Sequence, residues 1–311
     1  MVNLRGPMKT LHHLLIDNVE TLNESCFSIE SLCDRAAPSR ILMCEPRFFE
    51  IKDSKNPFMS GHLNDVDVAL AKKQWQELKK TFETLGYPVS LVRPVIGLED
   101  MVFTANQVLP AVDEQGNSFV ILAEMKHESR RREVVHFAAW FEENRYRVIR
   151  LNTSEQGPRF EGQGDAIWHP GKKLLWGGYG FRTEEAAYND LVHILNVPIL
   201  KLRLIDALFY HLDTAFCAID HRTVMIYAPA FAPESLALIK HVFERVVEVS
   251  HADATNFACN AVALGKNVVL QRGSSAACRA LEALNYESVE VDTGEFMKSG
   301  GSVFCLKMQI H

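Results

Sequence analysis

The chain lacks any apolar run of the roughly 18 residues that a membrane-spanning helix requires, which excludes a helical membrane protein. It has no surplus of basic residues either: 33 Lys and Arg stand against 39 Asp and Glu, a formal net charge of −6. That balance argues against nucleic acid or an anionic membrane as the main partner and suits a small cationic ligand. No CxxC pair occurs among the seven cysteines, and their spacing to histidine fits no structural zinc pattern. The twelve histidines form no HExxH or other paired-ligand spacing, so no metal site is expected. Nucleotide motifs are missing as well. The glycine pairs of Gly162-Gln163-Gly164 and Gly178-Tyr179-Gly180 complete neither GxGxxG nor a P-loop, and no cofactor is expected. The first residues, MVNLRGPMKTLHHLL, have no long apolar h-region or small-residue cleavage site. With an odd number of scattered thiols, a reducing cytoplasm is the expected location.

What is present is a chain with 47% hydrophobic and 23% charged residues, enough to bury a sizeable core. Residues 1–38 are polar, end in the turn-like Ala36-Ala37-Pro38-Ser39, and read as an appended segment. Leu11, Leu14 and Leu15 predict a short amphipathic helix there. The folded body begins at the strand-like Ile41-Leu42-Met43-Cys44. Ala71, Trp75, Leu78, Phe82 and Leu85 recur at helical spacing, Gly86 stops that helix, and Pro88-Val89-Ser90-Leu91-Val92 resumes as a strand. The same alternation recurs in Val134/Phe137/Phe141 before Val148-Ile149, in Ala187/Leu191/Ile194, and in Leu236/Ile239/Phe243/Val246. Residues 119–123, 174–176, 223–227, 268–271 and 303–308 read as further strands. Repeated strand-and-helix units predict an α/β fold, either a doubly wound sheet or a pseudo-symmetric array of ββαβ modules. No Pro-, Gly- or Ser-rich linker divides residues 39–311, which read as one domain.

Three segments combine turns with reactive side chains. Arg159-Phe160-Glu161-Gly162-Gln163-Gly164-Asp165 sets two carboxylates astride a turn ahead of the strand-like Ala166-Ile167-Trp168. In His211-Leu212-Asp213-Thr214-Ala215-Phe216, a strand would point His211 and Asp213 to one side. Gly300-Gly301-Ser302-Val303-Phe304-Cys305 places a thiol shortly after a flexible glycine pair. Taken singly, each has an ordinary structural explanation: a solvated acid, a structural histidine, an inert buried cysteine.

In order, acid, histidine and glycine-led cysteine resemble the guanidine-modifying or pentein superfamily, which includes arginine deiminases, dimethylarginine dimethylaminohydrolases and amidinotransferases. The likeness spans roughly residues 40–308. Ile41-Leu42-Met43-Cys44-Glu45-Pro46 and Lys55-Asn56-Pro57-Phe58-Met59 resemble the family's opening. Val102-Phe103-Thr104-Ala105-Asn106 resembles its FTRD or FTAN segment, Ser129-Arg130-Arg131-Arg132-Glu133 its SRRxE segment, and Gly180-Phe181-Arg182-Thr183 its FRT segment. Asn256-Phe257-Ala258-Cys259-Asn260 also fits. The chain departs from the pattern at Glu45 for a usual proline, Phe58 for a tryptophan, and Ser302 for the third glycine of GGGxxC.

The resemblance implies a five-module α/β propeller and a hydrolase whose nucleophile is Cys305, with His211 as general acid and base and Glu161 orienting that histidine. Hydrolysis of a resonance-stabilised guanidinium needs a thiolate and a protonated leaving group, and a bound cation itself favours the thiolate. Asp165 and Asp213 match acids around the guanidinium, and Arg130 and Arg182 match arginines that grip the substrate's α-carboxylate. Phe103 joins the substrate-binding set, as do Asn56 and Asn106. Arginine deiminases carry aspartate where Asn106 stands. An amide offers both an acceptor and a donor, so it suits a neutral ureido group as well as a guanidinium. The pairing of Asn56 with Asn106 resembles the short arginine dihydrolases, which implies two rounds: arginine to citrulline, then citrulline to ornithine. The alternatives are a deiminase or dimethylaminohydrolase that stops at citrulline, an amidinotransferase, or a catalytically silent binding protein on the same scaffold. The expected partner is a small arginine-like molecule, with a homo-oligomer left open.

Overall fold

Among the described residues each strand is short, and none of the sheets grows beyond four strands. The structure is a computed structural model that describes residues 14–25, 28–151 and 157–311. Near its start, β1 (Leu15–Ile16) precedes the short helix α1 (Val19–Glu24), which Asn18 caps by accepting a hydrogen bond from the Thr21 amide. The body opens with β2 (Arg40–Cys44), the long helix α2 (Val68–Thr84) and β3 (Val89–Val92). Asp67 caps α2, which buries Ala71, Trp75, Leu78 and Phe82 on one face, and Gly86 ends the turn beyond it at φ +89°.

A unit of two antiparallel strands, a helix and a parallel third strand then repeats. It runs as β4 (Val108–Val112), β5 (Ser118–Leu122), α3 (Glu128–Glu143) and β6 (Arg147–Arg150). The short turn α4 (Gly162–Asp165) leads into β7 (Ala166–Trp168), β8 (Leu175–Tyr179), α5 (Ala187–Leu195) and β9 (Ile199–Arg203). Another, α6 (Leu212–Ala215), leads into β10 (Phe216–Ala218), β11 (Thr223–Ile226), α7 (Pro233–Val242) and β12 (Arg245–Glu248). After α8 (His251–Thr255) come β13 (Val262–Leu264), β14 (Asn267–Gln271), α9 (Ser275–Ala283) and β15 (Glu287–Val291). Past α10 (Gly294–Met297), β16 (Met308–Ile310) pairs antiparallel with β2, so the two ends of the body complete one sheet. A doubly wound sheet is therefore ruled out: the described strands form five separate sheets, as the modular alternative requires.

Four local expectations are corrected. Leu15 lies in β1, not a helix, because parallel pairing with Ile199 and Leu200 of β9 captures it; Leu11 lies outside the described residues. The face read through Phe243 and Val246 ends at Val242, where Phe243 turns to ψ 133° and Val246 joins β12 beside Val224. Residues 303–306 form a tight turn, since the backbone amides of Ser302, Phe304 and Cys305 converge on one side chain, as described below. His211 and Asp213 belong to a helical turn, not a strand, and point to different partners.

Candidate active site

Tight turns at the entries of the five sheets carry the candidate residues. Asn106 precedes β4, Glu161 precedes and Asp165 ends α4 before β7, and His211 precedes and Asp213 belongs to α6 before β10. Asn260 precedes β13 and Cys305 precedes β16. The turns bind one another in sequence around the cleft. Ala105 N donates to Cys305 O (3.2 Å), Phe304 N to Asn260 O (3.0 Å), Asn260 Nδ2 to Asp213 O (3.0 Å), and Leu212 N to Asp165 Oδ1 (3.0 Å). A Cβ on Gly164 would stand 2.3 Å from Asn106 Nδ2, so glycine is what lets the last turn close on the first.

The Cys305 turn is held by Asn260, whose Oδ1 accepts from the amides of Ser302 (3.1 Å), Phe304 (3.0 Å) and Cys305 (3.2 Å). Its Nδ2 reaches Cys305 Sγ at 3.1 Å. The glycine pair ahead is packed, not slack: a Cβ on Gly301 would meet the Phe103 ring at 2.5 Å. Gly300, at φ +80°, lies against Tyr210 and Asn56. The Cys305 thiol donates to Asp213 Oδ2 at 3.2 Å. Burial pushes the thiol well up, and the facing carboxylate adds to the effect. Burial likewise raises Asp213 to about 7.

Across the cleft, His211 Nε2 lies 2.7 Å from Glu161 Oε2. Glu161 is fully buried, and burial alone would raise its pKa. Arg182 at 3.2 Å, the His211 contact and the charge of Arg130 outweigh that effect and hold it well below the usual range. Its Oε1 also accepts from the Lys126 amide at 2.9 Å. Asp165 stands 4.0 Å from His211 Nε2 and accepts from Thr183 Oγ1 at 2.7 Å, and burial lifts it to about 6.

Asn56, Phe103, Asn106, Arg130, Arg182, His211 and Cys305 line one narrow cleft whose cavity volume is about 20 Å³. Glu161, Asp165 and Asp213 support it from behind through the bonds just given. Asn56 is committed to the backbone: its Oδ1 caps residues 57–59 by accepting from Phe58 N and Met59 N, and its Nδ2 donates to Ser299 O. Arg130 is buried between Glu133 and Asn106, to whose Oδ1 it donates at 3.2 Å. Asn106 Nδ2 has no partner within the protein. Among the described residues no group of three or more His, Cys, Asp or Glu is arranged to hold a metal ion. Sequence reasoning assigned no role to Asn260, although its segment belongs to the resemblance, and it overlooked Lys55 and Tyr210 in the lining. The signals were there: Lys55 precedes Asn56 in the opening motif, and Tyr210 precedes His211.

A thiol and a histidine–carboxylate pair come together at this cleft, the equipment of hydrolases that act on guanidino C–N bonds. The chain belongs to the dimethylarginine dimethylaminohydrolase family within the pentein superfamily: residues 45–311 match the family described as N,N dimethylarginine dimethylhydrolase, eukaryotic. It is 36% identical over 272 residues to N(G),N(G)-dimethylarginine dimethylaminohydrolase of Mycobacterium tuberculosis, covering 88% of this chain and 86% of that one. It is equally 36% identical over 273 residues to the bifunctional arginine dihydrolase/ornithine cyclodeaminase ArgZ of Synechocystis sp., covering 87% of this chain but 37% of that longer protein. The N-terminal domain of ArgZ, solved with a covalently bound reaction intermediate, superposes with TM-score 0.82 at 35% identity over 87% of this chain and 97% of that one. No described helix is long and apolar enough to cross a membrane.

Proposed function

We propose that the protein is an arginine dihydrolase, converting L-arginine and two waters into ornithine, two ammonia and carbon dioxide. The observation that carries this is Asn106, an amide in the cleft wall whose oxygen is taken by Arg130 and whose Nδ2 is unpartnered. A free N–H donor there can meet the oxygen of citrulline, which a carboxylate would repel. In each round Cys305 Sγ attacks the central carbon, His211 protonates the leaving nitrogen, and the same imidazole then deprotonates water to release the thiol. Glu161 takes Nε2, which leaves Nδ1 for the proton transfers. Asp165 and Asp213 orient the guanidinium, Phe103 and Asn56 shape the cleft, and Arg130 and Arg182 supply positive charge for the α-carboxylate. Residues 39–311 are the catalytic domain, read as five ββαβ blades of a propeller, and residues 1–38 are an extension to it. The turn-to-turn contacts around the cleft support that arrangement.

A dimethylaminohydrolase that stops at citrulline is the second reading, favoured by the family's name and by the mycobacterial relative. Mass analysis of products from arginine, citrulline and dimethylarginine separates the two. Ornithine from both arginine and citrulline is expected; citrulline alone, with turnover of dimethylarginine, would replace the dihydrolase reading by the second.

A further inference from the structure

Two residues beyond the thiol lies a lysine that this mechanism leaves unused. Lys307 is fully buried, although lysine is among the residues least often found so. Its Nζ has no hydrogen-bond partner within the protein and rests 3.1 Å from the centroid of the Phe304 ring. The titratable groups that face it are Asp213 from α6, Cys305 from its own turn and Cys217 from β10. Asp213 in turn has one oxygen, Oδ2, on the thiol, while Oδ1 is unpartnered. A buried cation without a hydrogen-bond partner thus acts on the Cys305 thiol and on the carboxyl group that accepts from it.

A buried cation is costly and persists where something repays it. The two proposed rounds differ in what the substrate can repay. Arginine brings a positive charge that favours the thiolate, whereas citrulline is neutral and brings none. We propose that Lys307 is a positioning residue whose charge, delivered from behind Cys305 and Asp213, sustains the thiolate when the substrate is neutral. The Sγ proton leaves to solvent; none leaves Lys307, and no bond to it forms. Burial draws Lys307 down to about 7, opposed chiefly by Asp213, so its charge becomes pH-sensitive close to neutrality.

This inference rests on Cys305 being the nucleophile, and the test separates the two. Alkylation of Cys305 by neutral iodoacetamide is followed against pH in the full chain, in the wild type and in Lys307→Met. Removing an unpaired buried charge should leave the melting temperature unchanged or higher. The thiolate midpoint should rise, slowing alkylation at pH 7 about tenfold for each unit gained. Turnover of citrulline should fall about tenfold further than turnover of arginine, with Lys307→Arg retaining most of both. Identical midpoints in wild type and Lys307→Met, or equal losses on both substrates, would overturn the proposal. So would a failure of both Lys307→Met and Lys307→Gln to fold, which would make Lys307 a packing residue. Undiminished turnover in Cys305→Ser would instead overturn the nucleophile itself.

Discussion

The two halves of the cleft bury their acids to opposite effect. On one side Glu161 sits between Arg182 and His211 and is held well below the ordinary carboxylate range. On the other, Asp213 has a thiol and an asparagine amide nearby, and burial carries it to about 7. Burial is similar; the neighbours decide. The first half holds a Glu161–Arg182 ion pair whose carboxylate also takes His211 Nε2. In the second, burial holds the Cys305 thiol well up beside Asp213, and in the proposed mechanism a positive charge favours its ionisation.

This contrast can be broken at several points. Replacing the nucleophile, Cys305→Ser, should lower turnover by about a thousandfold or more without changing the melting curve much. Glu161→Gln removes the standing charge, and turnover should fall about a hundredfold as His211 loses its orienting partner. Asn106→Asp should stall the reaction after the first round, so that citrulline accumulates and ornithine yield falls about tenfold or more. Unchanged ornithine yield from that variant would remove the amide from the account.

The smallest effects lie in stability, where the two acids should show opposite pH dependence. Asp213 is raised from an ordinary value of 3.8 to about 7. As pH climbs between those values the unfolded carboxyl ionises while the folded one keeps its proton, so the residue increasingly opposes folding. Asp213→Asn should therefore gain stability, by on the order of 1–4 kcal/mol above pH 7 and little below pH 4. Glu161 is lowered, so its contribution is present above its unfolded value and fades as pH falls; Glu161→Gln should be most destabilised at neutral pH and approach wild type in acid. Denaturant melts at pH 5 and pH 8 measure both. Equal slopes for the two variants would mean that their surroundings do not differ as described.

Much of this was legible in the chain. The α2 face through Ala71, Trp75, Leu78 and Phe82 was written in helical spacing, and Gly86 marked its end. Cys305, His211, Glu161 and Asn106 could be picked out because their segments together resemble those of the guanidine-modifying superfamily, and the structure gathers them in one cleft region. The misses share a cause in long-range contacts. The apolar run through Cys305 looks like a strand until Asn260, 45 residues earlier, draws its amides into a turn. The same hydrogen bonds give Asn260 a function that its own neighbours do not reveal. Lys307 resembles any lysine in sequence, and only the closure of the fold buries it beside Asp213. His211 and Asp213 share a side in a strand but not in a helical turn, which sends one to Glu161 and the other to the thiol.

The most direct test supplies purified protein with citrulline alone and follows ornithine and ammonia in wild type, Cys305→Ser and Asn106→Asp. Ornithine from the wild type, abolished by Cys305→Ser and sharply reduced by Asn106→Asp, is the predicted result. Citrulline left intact by a wild-type enzyme that still consumes arginine would contradict the second hydrolysis.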